Sequence, residues 1–153
     1  MLYSNQNVIK HFNQAASSYD QVANIQQRHI ALAVEELSKH IRADSLVADI
    51  GCGTGGLARQ TSIRQPGWNI IGVDMASKMC ARASEHQHHT VVGDMQQLAL
   101  ASDMSDATCC NFTLQWSNDP SAAIAELARI TKPGGAVAPV SYTHLTLPTK
   151  RIV

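Results

Sequence analysis

The chain has 153 residues, 44% of them hydrophobic and 16% charged, which is enough apolar content for the core of one domain or a piece of one. Its 12 basic residues balance its 12 acidic ones, which argues against a nucleic-acid or acidic-membrane surface. No apolar run approaches the roughly 20 residues of a membrane span. The start Met1-Leu2-Tyr3-Ser4-Asn5-Gln6 lacks the basic-then-apolar order of a signal peptide, so the expected location is the cytoplasm.

Residues 5–42 carry helical periodicity. Ile9, Phe12 and Ala16 share one face, and Ile30, Val34, Leu37 and Ile41 share another. Ser17-Ser18-Tyr19-Asp20 is expected to break this stretch, with Ser18 or Asp20 capping the second helix. From residue 46 the pattern alternates. Strands are predicted at Leu46–Ile50, Asn69–Val73, Thr90–Val92, Ala107–Phe112 and from Ala136 onward, with helices near 56–64, 76–86 and 120–130 between them. Such alternation implies a parallel sheet of right-handed βαβ units. Pro66-Gly67 and Lys132-Pro133-Gly134-Gly135 read as turns that end helices before new strands. The cysteines Cys52, Cys80, Cys109 and Cys110 contain no Cys-x-x-Cys pair and read as reduced, buried hydrophobes, with Cys109 and Cys110 facing opposite sides of a strand.

The most informative stretch is Val47-Ala48-Asp49-Ile50-Gly51-Cys52-Gly53-Thr54-Gly55-Gly56. A strand, a glycine turn and a helix N-terminus in succession make a cradle of nucleotide size. Gly51, Gly53 and Gly56 satisfy a dinucleotide fingerprint, while Gly51, Gly53 and Gly55 satisfy an acidic-x-G-x-G-x-G pattern, so the glycines alone leave the choice open. Asp49 discriminates. A carboxylate at the strand tip repels a pyrophosphate but attracts the amino group and sulfonium of S-adenosylmethionine. Asp74 ends the second strand, where it can accept from both ribose hydroxyls of either cofactor. In Gly93-Asp94-Met95, Asp94 can accept from an adenine amine with Met95 on the ring, or it caps a short helix over Met95–Leu100. His86, His88 and His89 precede the third strand without a correctly spaced carboxylate or cysteine, so no metal site is expected.

Asp49-Ile50-Gly51-Cys52-Gly53-Thr54-Gly55, Val73-Asp74, Gly93-Asp94-Met95 and Lys132-Pro133-Gly134-Gly135 together resemble the class I S-adenosylmethionine-dependent methyltransferases in order and spacing. Val8 to Asp20 and Asn111-Phe112-Thr113-Leu114-Gln115-Trp116 are similar to segments of the malonyl-acyl-carrier-protein O-methyltransferases of biotin synthesis. The resemblance covers nearly everything up to Ala138. It implies an α/β Rossmann-like parallel sheet with helices on both faces, strands ordered 3-2-1-4-5-7-6, preceded by N-terminal helices and lacking its last strands here. The domains expected are a helical cap at 1–42, an incomplete cofactor-binding core at 43–138, and a tail at 139–153. The cofactor residues implied are Asp49, Gly51, Gly53, Gly55, Asp74, Met75, Asp94, Met95 and Asn111.

The chemistry implied is methylation of the free carboxylate of a malonyl thioester on acyl carrier protein. That carboxylate is ionised at neutral pH, so no general base is required, and no Ser/His/Asp or Cys/His constellation is found. Catalysis would rest on alignment and exclusion of water. Tyr19, Asn111, Gln115 and Trp116 are the positioning candidates, with packing or capping as the alternative for each. Other readings are a different class I small-molecule methyltransferase, an NAD(P)-binding oxidoreductase domain and an inactive fragment. The last arises because Val140 to Thr149 resembles the translation of a sequencing-library adapter. Residues 139–153 are therefore set aside from the fold, which leaves the fifth strand as an expected bare, aggregation-prone edge containing Pro139.

Overall fold

The computed structural model describes residues 4–140 together with 151–152. Helices α1 (Asn5–Ala15), α2 (Tyr19–Val22) and α3 (Asn24–Leu37) precede an alternation of β1 (Leu46–Ile50), α4 (Gly56–Arg64), β2 (Asn69–Asp74), α5 (Ser77–Ala83) and β3 (His89–Val92). Then come β4 (Ser105–Asn111), a 3-10 turn at Leu114–Trp116, α6 (Pro120–Ile130), β5 (Thr131–Val140) and β6 (Arg151–Ile152). The strands form one parallel sheet in the order β3-β2-β1-β4-β5-β6. Its first five positions follow the 3-2-1-4-5 order that the resemblance implied.

Both faces of the sheet are covered, as a parallel sheet requires. On one face Val47, Ala107, Cys109 and Ala136 pack against Ile30, Val34 and Leu37 of α3 and Leu57 and Ala58 of α4. On the other, Ala48, Ile50, Val73, Cys110 and Val137 meet Ile124, Leu127 and Ile130 of α6. Cys109 and Cys110 therefore face opposite sides, and all four cysteines are free and buried.

Three local expectations differ from the structure. Ser18 occupies the N-cap position of α2, but neither its side chain nor that of Asp20 caps a helix. Ser18 Oγ donates back to the Ala15 carbonyl, α3 starts after Ala23 with no side-chain cap, and the Asp20 carboxylate is drawn to Thr54 and two arginines instead. The Lys132–Gly135 turn does not precede the fifth strand but lies inside it. Thr131 pairs with Ser105, and the register resumes at Ala136 with Ala107, so the intervening residues loop out with Gly134 at φ 77. The outer edge of β5 is not bare: Arg151 and Ile152 pair with Ala136 and Val137. Pro139 sits within the β4–β5 ladder opposite Cys110. Most of the adapter-like tail, residues 141–150, lies outside the described residues.

Candidate cofactor site

A cavity of about 310 Å³ opens at the carboxyl ends of β1, β2 and β4. Here the chain turns back across the sheet, the place where open α/β sheets bind ligands. Ile50, Gly51 and Gly53 supply its floor, Asp74, Met75 and Met95 one wall, and Asn111, Gln115 and Trp116 another. Val8, Ile9, His11 and Phe12 of α1, with Tyr19 of α2, close the remaining side. Phe12 stands edge-on to Trp116, ring centres 5.6 Å apart.

The glycine loop takes its shape from backbone that side chains disfavour. Gly51, Gly53 and Gly55 all have positive φ. Gly53 is open toward the cavity, where the nearest atom to a built Cβ would be Tyr19 Cε1 at 4.0 Å. Gly55 is not among the lining residues. It heads α4 and approaches Ala83 of α5, where a Cβ would lie 3.1 Å from the Ala83 Cα.

Asp74 braces the loop from β2. Its Oδ2 accepts the Gly53 N–H at 3.0 Å and its Oδ1 the Ala76 N–H at 2.9 Å. Burial pushes its acid up, against the pull of those backbone donors. Asp49 lies deeper, 3% exposed, in a small recess shared with Gln26, Gly51, Gly53 and Asn111. Burial first and the neighbouring Asp74 charge second raise its acid to about 7. The Asn111 amide donates Nδ2–H to the Gln26 carbonyl at 3.3 Å, while its buried Oδ1 has no partner. Gln115 Oε1 on the cavity wall is likewise buried and unpartnered.

A carboxylate at Asp49 and an amide oxygen at Asn111 share one recess, as a bound ammonium would require. The residues present fit the aminoacyl end of S-adenosylmethionine, and Asp74, Met75 and Met95 line the adjoining cavity. Asp94 stands apart. It is not a lining residue, and its carboxylate accepts from the Gln96 backbone and side chain. No helix forms over Met95–Leu100.

Several lining residues were not singled out as site residues. Val8, Ile9 and His11 belong to a helix with no buried residue, whose apolar face turns to the cavity. Thr113 also lines it. Met79 is both buried and a lining residue. Among the described residues no group of three or more His, Cys, Asp or Glu side chains is gathered as a metal site would be, and His88 Nδ1 accepts the Ile70 N–H at 3.1 Å. No helix in the described residues is long and apolar enough to cross a membrane.

Known folds match this arrangement. The [4+2]-cyclase SpnF superposes with a TM-score of 0.76 at 21% identity, over 88% of this chain and 58% of that one. The S-adenosylmethionine-bound structure of CalS10, an amino pentose methyltransferase from Micromonospora echinaspora, gives 0.67 at 23% identity, over 83% and 55%. A methyltransferase domain family matches residues 48–138. The chain belongs to that family. In sequence it is similar to the malonyl-[acyl-carrier protein] O-methyltransferase of Pseudescherichia vulneris, 34% identical over 139 residues. These are 90% of this chain and 54% of that protein, so the chain spans about half the length of the curated relatives it matches.

Proposed function

We propose that the protein binds S-adenosylmethionine and transfers its methyl group to the free carboxylate of a malonyl thioester on acyl carrier protein, a step toward biotin. The observation that carries the cofactor half is the recess in which buried Asp49 lies with Asn111, whose buried Oδ1 has no hydrogen-bond partner. The acceptor half is supported by similarity to enzymes named for that reaction.

When bound, S-adenosylmethionine supplies an electrophilic methyl group on a sulfonium. Asp49 and Asn111 Oδ1 would hold the ammonium, Asp74 the ribose, and Met75 and Met95 would pack on the nucleoside. Gly51 and Gly53 let the backbone come close. Gln115, Trp116 and Tyr19 would orient the acceptor and keep water out. No residue need take a proton, because a malonyl carboxylate is already ionised at neutral pH.

Titration with S-adenosylhomocysteine and, separately, with NADH tests the cofactor. Saturable binding of the first and none of the second is expected; the reverse would defeat the reading. Transfer of labelled methyl from S-adenosylmethionine to malonyl-acyl carrier protein, and not to the acetyl form, tests the acceptor.

A further inference from the structure

Asp20 lines neither the cavity nor the recess, yet its carboxylate joins three other elements. Thr54 Oγ1, in the glycine loop, donates to Oδ1 at 2.6 Å. Arg59 Nη2, from α4, donates to the same oxygen at 3.1 Å, and Arg82 Nη2, from α5, lies 3.8 Å from Oδ2. At the far end of the same segment, Asn13 Oδ1 accepts the Lys78 N–H at the head of α5 at 2.9 Å. Beside these anchors Phe12 and Tyr19 line the cavity, and between them Ala16 packs on Ala76 and Met79.

Helices α1 and α2 thus form a strap across one side of the cavity. Neither helix contains a buried residue, and the strap's apolar packing is one small cluster in which Phe12, Ala15, Ala16 and Tyr19 meet Ala76 and Met79. The latch at Asp20 draws on three side chains from other elements, and one of them, Thr54, belongs to the glycine loop. Arg59 also donates to the Thr54 carbonyl at 2.7 Å, so the loop keeps a brace of its own when Asp20 is removed.

We propose that Asp20 is a positioning residue that controls exchange of the bound nucleoside ligand by latching the strap to the glycine loop. A ligand between Phe12 and Tyr19 on one side and Asp74 on the other leaves by way of the strap, and the Asp20 bonds break as it opens. The inference rests on the cofactor reading above. Half of the latch is ionic and only partly shielded, so added salt weakens it.

The test is stopped-flow fluorescence of the whole chain with S-adenosylhomocysteine as probe, read through Trp116 against Phe12. Asp20→Ala should release the probe about fivefold to twentyfold faster, with association little changed. Asp20→Glu should recover most of the loss. Release from the parent chain should speed up with sodium chloride, and release from Asp20→Ala should not. Hydrogen exchange should rise across residues 5–22 in Asp20→Ala even without the probe. Equal release rates and equal salt responses in parent and variant would overturn the latch while leaving the cofactor reading intact. A parent chain that does not bind the probe overturns both. Should Asp20→Ala not fold, Asp20→Asn and the salt series on the parent chain decide the matter, a flat salt response counting against the latch.

Discussion

The Asp74 carboxylate accepts the Gly53 N–H at 3.0 Å across 21 residues of sequence, so the end of β2 holds the glycine loop at the end of β1 in place. The same carboxylate faces the cavity. It therefore has one duty to the protein and, on the proposed reading, a second to a ligand. Asp74→Ala removes both and should weaken S-adenosylhomocysteine binding about 10- to 100-fold by calorimetry, the range expected for lost hydrogen bonds to a charged group. Asp74→Asn, which keeps one acceptor oxygen, should lose less.

Asp49 yields a pH signature. Its acid is raised from 3.8 to about 7 by burial and by Asp74. The folded chain then binds a proton that the unfolded chain has released, so this group's contribution to stability falls as pH rises from 3.8 to about 7. Asp49→Asn abolishes that penalty. By urea unfolding the variant should match the parent near pH 4 and exceed it by about 2–4 kcal/mol near pH 8. Its affinity for S-adenosylhomocysteine should fall about tenfold, because the ammonium loses its counter-charge.

Gly51 combines two constraints. Its φ is 75, and a Cβ there would run into the Thr113 side chain. Gly51→Ala should cost about 2–4 kcal/mol of stability. Adding Thr113→Gly should relieve the collision but leave the backbone strain of about 1–2 kcal/mol. Thermal unfolding of the single and double variants separates the two parts.

The connection between β3 and β4 is fastened from α6. Glu126 accepts the Leu98 N–H at 2.7 Å, and Arg129 donates to the carbonyls of Leu98 and Leu100 while paired with Glu126 at 2.6 Å. Arg129 holds the Glu126 acid below its ordinary value. A depressed acid stabilises the fold above its unfolded pKa and loses that contribution as pH falls through the folded one. Arg129→Ala should destabilise the chain by about 1 kcal/mol near pH 7, a modest figure because the pair is partly exposed. The difference from the parent should shrink below about pH 4.

What the sequence disclosed follows from how each element is buried. Strands β1, β2 and β4 are covered on both faces, so their apolar runs stand out, and the glycine loop between β1 and α4 is marked by its own composition. The start of β5 was hidden because its first residue is polar. Thr131 is fully buried, but its hydroxyl donates to the Leu127 carbonyl at 2.6 Å and pairs with Thr108, which in turn pairs with Ser105. A chain of hydroxyls that satisfy one another looks from sequence like a loop. The role of α1 was obscured for the opposite reason. Its apolar face was visible, but periodicity does not distinguish a face turned to a core from one turned to a cavity. That Asp49, Asp74 and Asn111 lie near one another was legible because strand ends in an α/β sheet converge. The turn by which Asp94 accepts from Gln96 leaves no trace in strand spacing.

The edge contact between Phe12 and Trp116 joins opposite ends of the described chain, as does the Asn118 to Asn5 hydrogen bond at 3.2 Å. During synthesis the helices that wall the cavity emerge first and the turn that meets them emerges more than a hundred residues later. β1 likewise waits for β4 to occupy its second side. A nascent chain cannot complete this cavity until residue 116 has cleared the ribosome, so on the proposed reading ligand-assisted folding can act only after that point.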